Sequence, residues 1–146
     1  RSIDGFIEAN KRHFATYDDR LAQLPGLSLL EPGRFGRSNY QYVVAEVGQS
    51  CPLTRDELVE ALWAERVRAR RYFFPGVHRM EPYRSHAPDA GALLPVTERL
   101  AQSVIVLPTG TGVEPAEVEM ITDLIATAID QASAVRQAIA SRPGAS

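Results

Sequence analysis

The chain has 146 residues, 45% of them hydrophobic and 23% charged, with a formal net charge of -2. That is the make-up of one globular domain, long enough to bury roughly 70% of the surface its unfolded chain exposes. The charge excludes a general attraction to nucleic acid or to an anionic membrane, and no apolar run approaches the ~20 residues that span a bilayer. In chain order, Ile3, Phe6, Ile7, Phe14, Tyr17, Leu21 and Leu24 recur at helical spacing and predict an amphipathic helix ended by Pro25-Gly26. Leu27 to Leu30 is a short strand before the Pro32-Gly33 turn. Asn39 to Val47 is dense in β-branched and aromatic residues and predicts a well-buried strand.

Thr54-Arg55-Asp56-Glu57 has the capping-box form, and the helix it opens carries Leu58, Leu62 and Trp63 inward and ends near Arg66. Val67 to Phe74 alternates and predicts a strand, with Val67, Ala69, Arg71 and Phe73 on one face and Arg68, Arg70, Tyr72 and Phe74 on the other. Pro75-Gly76 stops it, and from His78 to Gly91 the prolines interrupt any period, so an irregular loop is expected. Pro95 to Gln102 is a short helix and Ser103 to Leu107 a short buried strand. Glu114-Pro115 starts the last helix, with proline at its favoured first position and a seam through Val118, Ile121, Ile125, Ala128, Ala132, Val135 and Ile139. Arg142 to Ser146 reads as a frayed tail. The order predicts an α+β domain, a small mainly antiparallel sheet with helices packed on one face.

Familiar catalytic templates are absent: no glycine-rich phosphate loop, no nucleophile elbow, no cysteine cluster. Cys51 is the only cysteine, which excludes an internal disulfide, and no signal-peptide pattern opens the chain; a reducing, cytoplasmic setting is expected. His13, His78 and His86 lack the spacing of a metal site, so no metal is expected. Asp18 and Asp19 read as solvated helix charge, and Arg66, Arg68, Arg70 and Arg71 as a surface run split over two strand faces. Of the 16 basic residues only Lys11 is a lysine, and no motif surrounds it.

One segment stands apart, Arg70-Arg71-Tyr72-Phe73-Phe74-Pro75-Gly76-Val77-His78-Arg79-Met80-Glu81-Pro82-Tyr83. Its bland account is a strand end with its turn. Its functional account places His78 and the aromatics at the rim of a polar ligand site, because loops held by rigid strands collect such residues.

This segment resembles the Tyr-aromatic-x-Pro-x-x-His-x-x-x-Pro-Tyr stretch of the DegT/DnrJ/EryC1/StrS family of nucleotide-sugar aminotransferases. Ile3 to Lys11 resembles that family's helix linking its large and small domains, and Asn39-Tyr40-Gln41-Tyr42-Val43-Val44 its first main small-domain strand. Thr54 to Leu58 resembles the next helix start, and Leu94 to Ala101 followed by Val106-Leu107-Pro108-Thr109-Gly110 the closing pattern. The matches run in order along nearly the whole chain.

The resemblance implies the C-terminal domain of a fold-type-I enzyme dependent on pyridoxal 5'-phosphate. Such an enzyme, usually a homodimer, moves an amino group from glutamate to a nucleotide-linked keto-sugar. It implies that residues 1–24 link to a large domain and residues 25–146 form the small one. It further implies that the lysine holding the cofactor and most phosphate contacts belong to that large domain, so that this chain alone is inactive. By position, Asn39, Tyr40, Tyr72, Phe74 and His78 are similar to the family's substrate-rim residues, with no catalytic residue among them. Two alternatives stay open: a free-standing binding or scaffolding domain, and the family's dehydratase branch, in which histidine replaces the catalytic lysine.

Overall fold

A computed structural model describes residues 2–32 and 36–142. The first helix, α1 (Ile3–Leu21), is capped by the Ser2 hydroxyl and buries His13, Tyr17 and Leu21. Its first turns turn the other way: Ile3 and Phe6 are exposed. Strands β1 (Leu27–Leu29) and β2 (Val43–Val47) follow, then α2 (Arg55–Ala64) and a two-residue strand β3 (Arg70–Arg71). A 3-10 turn (Val77–Arg79) and the short helices α3 (Tyr83–His86) and α4 (Ala90–Leu93) lead into α5 (Pro95–Ser103) and β4 (Val104–Leu107). The chain closes with α6 (Pro115–Asp130) and α7 (Ala132–Ala140).

The four strands form one antiparallel sheet in the order β1-β2-β4-β3. Val43, Ala45 and Val47 of β2 are buried; Val43 and Ala45 pair across with Leu107 and Ile105 of β4 and Val47 with Leu27 of β1, so one face of the sheet is apolar. Tyr17 and Leu21 of α1, Leu58 and Leu62 of α2, and Val118 and Ile125 of α6 close over it as one core. Glu46 points the other way, where Arg99 and Ser103 of α5 hold its carboxylate. The α+β architecture is as expected, with α5 reaching round to the outer face through Arg99 and Ser103.

The capping box forms: the Thr54 hydroxyl accepts from the Glu57 amide at 3.2 Å, and the Glu57 carboxylate accepts from the Thr54 amide at 2.8 Å. Glu57 also takes the guanidinium of Arg136 from α7, so this cap ties two helices. Thr54→Ala is expected to lower stability by about 1 kcal/mol in denaturant unfolding, and an unchanged midpoint would show that the cap contributes nothing.

Four expectations need correction. Trp63 is not an inward residue; it is 45% exposed, because its indole N–H turns back to the Ala69 carbonyl at 2.7 Å. The strand from Val67 to Phe74 shrinks to β3, since Phe73 takes a φ of 53° and ends the alternation. The loop from His78 to Gly91 is largely short helical turns, held in part by Glu81, which accepts from Arg84 and Ser85 one turn on. The last helix is two, because the backbone leaves the helical region at Gln131 (φ -99°, ψ 29°) and the chain resumes as α7 against α2. The expected Pro32-Gly33 turn at Gly33, and the tail beyond Arg142, lie outside the described residues.

Candidate functional site

The loop after β3 builds the most organised polar constellation. Gly76 has a φ of +93°, and an ideal Cβ there would lie 2.7 Å from Cε1 of His78, so only glycine lets the imidazole fold back over the turn. The His78 side chain is 10% exposed, and its Nε2 lies 2.5 Å from Oε1 of Glu98 on α5. Arg79 grips the same carboxylate as a fork, Nε donating to Oε1 at 2.6 Å and a terminal nitrogen to Oε2 at 2.8 Å. A Cβ at Gly91 would come within 3.0 Å of Glu98 and 3.3 Å of Arg79, so this glycine leaves room for the clasp.

The hydrogen bond from Arg79, and after it that from His78, hold the Glu98 carboxyl down to about 2, below its usual range. Glu98 therefore stays ionised through the neutral range. Its contribution is complete above the unfolded carboxylate value and is lost only as pH falls toward 2.

Beside this clasp runs an open, mainly apolar groove of about 630 Å³, lined by Phe73, Val77, His78, Tyr83, His86 and Leu94 among others. The size falls in the range of small-molecule sites. His86 reaches back through Nδ1 to the Pro82 carbonyl at 2.7 Å, so that nitrogen carries the proton and Nε2 is left bare when the ring is neutral. Phe73, Val77, Met80 and Tyr83 are exposed, which gathers apolar surface around the groove.

The other candidate residues are dispersed. Tyr72 stacks on Phe73 with ring centroids 4.0 Å apart and meets Tyr42 at 5.6 Å. Phe74, expected on the same face as Tyr72, is turned to the opposite side by the backbone at Phe73 and lies over the Arg55 and Arg71 guanidinium groups at 5.1 and 6.0 Å. Asn39 is exposed, its carbonyl accepting from the Asn10 side chain and its own carboxamide oxygen from the Gln41 amide. Tyr40 stacks on Phe14 of α1 at 5.5 Å. Asn39 and Tyr40 thus sit against α1, whereas Phe73 and His78 share the groove.

His13, not singled out in the sequence beyond its failure as a metal ligand, is buried on α1 with Nδ1 3.3 Å from the Thr109 hydroxyl. Burial, then the nearby Arg12, lowers its pKa and keeps the ring neutral at neutral pH. Among the described residues no group of histidine, cysteine and acidic side chains could hold a metal ion. Among the described residues no helix is long and apolar enough to cross a membrane.

The sequence profile of the DegT/DnrJ/EryC1/StrS aminotransferase family matches residues 1–126. The chain belongs to this family. It is 29% identical over 126 residues to the dTDP-4-amino-4,6-dideoxy-D-glucose transaminase of Escherichia coli, a match covering 86% of this chain and 34% of that protein. It is 28% identical over 131 residues to the GDP-perosamine synthase of Caulobacter vibrioides, covering 88% and 33%. Its fold superposes on the crystal structure of DesI in the presence of its TDP-sugar product with a TM-score of 0.82 and 37% identity, over 94% of this chain and 35% of that one. The chain therefore spans about a third of the length of these DegT/DnrJ/EryC1/StrS relatives.

Pyridoxal phosphate, which the family implies, is not matched by the residues present. The sole lysine, Lys11, is exposed on α1 and does not line the groove. Glu98 is the residue of the site that sequence reasoning passed over, although it lies within the stretch that resembles the family's closing pattern. No local signal marks it, because its partners His78 and Arg79 lie 20 and 19 positions away.

Proposed function

We propose that this chain is the small domain of a pyridoxal-phosphate-dependent aminotransferase acting on a nucleotide-linked keto-sugar with glutamate as amino donor. In this reading a large domain of the same polypeptide holds the cofactor, the assembly is a homodimer, and the isolated chain is inactive. The observation that carries it is the match to sugar transaminases along nearly all of this chain but only a third of theirs. The Lys11 environment agrees with it, since covalent cofactor chemistry needs a lysine that this fold does not offer.

Within that enzyme the groove wall of Phe73, Val77 and Tyr83 excludes water from one side of the sugar. His78 supplies the polar contact. Its Nε2 is committed to Glu98, which leaves Nδ1 to meet a sugar hydroxyl. Asn39 and Tyr40, held by α1, and Tyr72 and Phe74 beyond the groove complete the proposed rim.

The test uses the full-length polypeptide with 2-oxoglutarate as amino acceptor and, as donors, the two sugars that the relatives' names supply: dTDP-4-amino-4,6-dideoxy-D-glucose and GDP-perosamine. Formation of glutamate with either supports the reading; glutamate from neither overturns it. Loss of water from the sugar with no nitrogen transfer would move the chain to the dehydratase branch. In the active enzyme His78→Ala should lower kcat/KM for the sugar roughly ten- to a hundredfold, as expected for one lost contact of about 1–3 kcal/mol. Unchanged kinetics would remove His78 from the site. Parallel losses of stability and activity would mark it as a loop tether.

A further inference from the structure

We infer that Glu98 is a positioning residue of the sugar site: it holds His78 by Nε2 and so selects Nδ1 as the atom presented to a hydroxyl of the substrate. This deepens, and rests on, the function proposed above. Three observations converge on it.

The first is the geometry of the clasp. Oε1 of Glu98 lies 2.5 Å from Nε2 of His78, and an ionised carboxylate can only accept, so Nε2 must carry the proton. In a neutral imidazole the proton can sit on one nitrogen only. Nδ1 is thereby left as a lone pair, with no hydrogen bond to any described residue.

The second is that the carboxylate is itself fixed. The Arg79 fork occupies both of its oxygens and sets its plane, so the ring is held against a part that cannot rotate. The third is that the surroundings make space for this arrangement. Gly76 lies against the Cε1–Nδ1 edge, where an ideal Cβ would come within 2.7 and 3.0 Å of those atoms. A larger residue there would displace the ring. Polar groups held this way are what a binding site needs, since an imidazole free to rotate or to exchange tautomers loses part of its contact to reordering.

The arrangement has a consequence for specificity. A bare Nδ1 accepts a hydrogen bond, so it suits a sugar hydroxyl. It repels the oxygens of a diphosphate, which are acceptors themselves, unless the ring is protonated. Glu98 thus selects the sugar rather than the phosphate end of a nucleotide-sugar as the partner of His78.

The test has two arms. In the first, this chain is labelled with 15N-histidine; three histidines give a resolvable spectrum. At pH 8 His78 should show a protonated Nε2, slowed in exchange with water, and a bare Nδ1. A proton on Nδ1 instead would overturn the inference. Glu98→Leu should abolish the slowed exchange.

The second arm is kinetic, on the full-length polypeptide with dTDP-4-amino-4,6-dideoxy-D-glucose or GDP-perosamine, whichever it transaminates. Glu98→Leu should lose about as much kcat/KM as His78→Ala, roughly ten- to a hundredfold, and the double variant no more than either. Glu98→Gln keeps a carbonyl oxygen for the Nε2 proton and should recover most of the loss. Arg79→Met leaves the Glu98 bond to His78 but frees the carboxylate to rotate, so it should lose part of the kcat/KM that Glu98→Leu loses. Glu98→Gln as damaging as Glu98→Leu would make Glu98 a loop clip acting through Arg79 and overturn the inference, as would full activity in Glu98→Leu. A parent enzyme that transaminates neither sugar is a different failure: it removes the functional reading, and the positioning role falls with it.

Discussion

Asp56→Ala is expected to lower the unfolding free energy by about 2–4 kcal/mol, although Asp56 is 54% exposed and looks dispensable. Its importance comes from Arg55, whose side chain is 1% exposed. Arg55 enters the fold at the first position of α2, where the capping box sets the helix direction and turns the guanidinium under the Phe74 ring. There it has two partners. Nε donates to Asp56 Oδ1 at 2.8 Å and one terminal nitrogen to the Val104 carbonyl at 3.0 Å, while the other terminal nitrogen is buried without a partner.

A buried cation tolerates little further loss. Deleting Asp56 leaves a desolvated guanidinium with one neutral acceptor, and removing one member of such a pair typically costs about 3–5 kcal/mol. Water that reaches the half-exposed Asp56 site can solvate part of the charge, which sets the estimate below the top of that range. Asp56 also meets Arg71 Nε at 2.8 Å, so the same deletion loosens β3 from α2. Arg55→Met removes the charge and fills the space with a flexible apolar chain. Introduced into Asp56→Ala, it should therefore restore part of the lost stability, an interaction of roughly 0.5–3 kcal/mol in a double-variant cycle. Denaturant unfolding of the four proteins decides it. Additive losses, or an Asp56→Ala variant within about 0.5 kcal/mol of the parent, would mean that Arg55 needs no counter-charge.

That buried arginine marks the border of what the sequence reveals. Local rules with a local cause read out well. The Thr54 box, the Pro115 helix start and the β-branched run of β2 each depend on residues within a few positions of one another. The aromatic loop around His78 also stood out, because Pro75-Gly76 punctuates it and prolines break every period after it. Features set by distant partners did not read out. Trp63 has the spacing of a core residue, yet the Ala69 carbonyl and Arg71, 5.2 Å over the ring, hold it at the surface. Phe73 belongs to an apparently regular alternation, yet stacking on Tyr72 accompanies a left-handed backbone that separates Tyr72 from Phe74. The unbroken seam from Val118 to Ile139 hides the stop at Gln131, where no proline or glycine announces that α7 will pack on α2. Glu98 is one of 18 acidic residues, and only folding brings α5 beneath the loop it clasps.

Tyr17→Ala is expected to cost about 3–5 kcal/mol, the largest loss of any single change considered. Tyr17 is 0% exposed and sits where α1 meets the core beside Leu21, Ile121 and Ile125. Its hydroxyl donates to the Pro108 carbonyl at 3.0 Å, at the turn that follows β4, and burial raises its pKa so that the phenol keeps its proton. His13, one turn earlier on the helix, reaches Thr109 in the same turn. Removing the ring empties a large space at the centre of a close-packed core and releases the turn at once. The two effects can be separated. Tyr17→Phe keeps the packing and removes only the hydroxyl, so it should cost about 1 kcal/mol. His13→Ala removes the neighbouring tether alone, and because its partner is an exchangeable hydroxyl it should cost less than Tyr17→Ala by about 2 kcal/mol or more. If packing holds α1 to the domain, proteolysis should cleave α1 readily in Tyr17→Ala and hardly faster than the parent in Tyr17→Phe. Tyr17→Phe as damaging as Tyr17→Ala would instead assign the attachment of α1 to the single bond at Pro108.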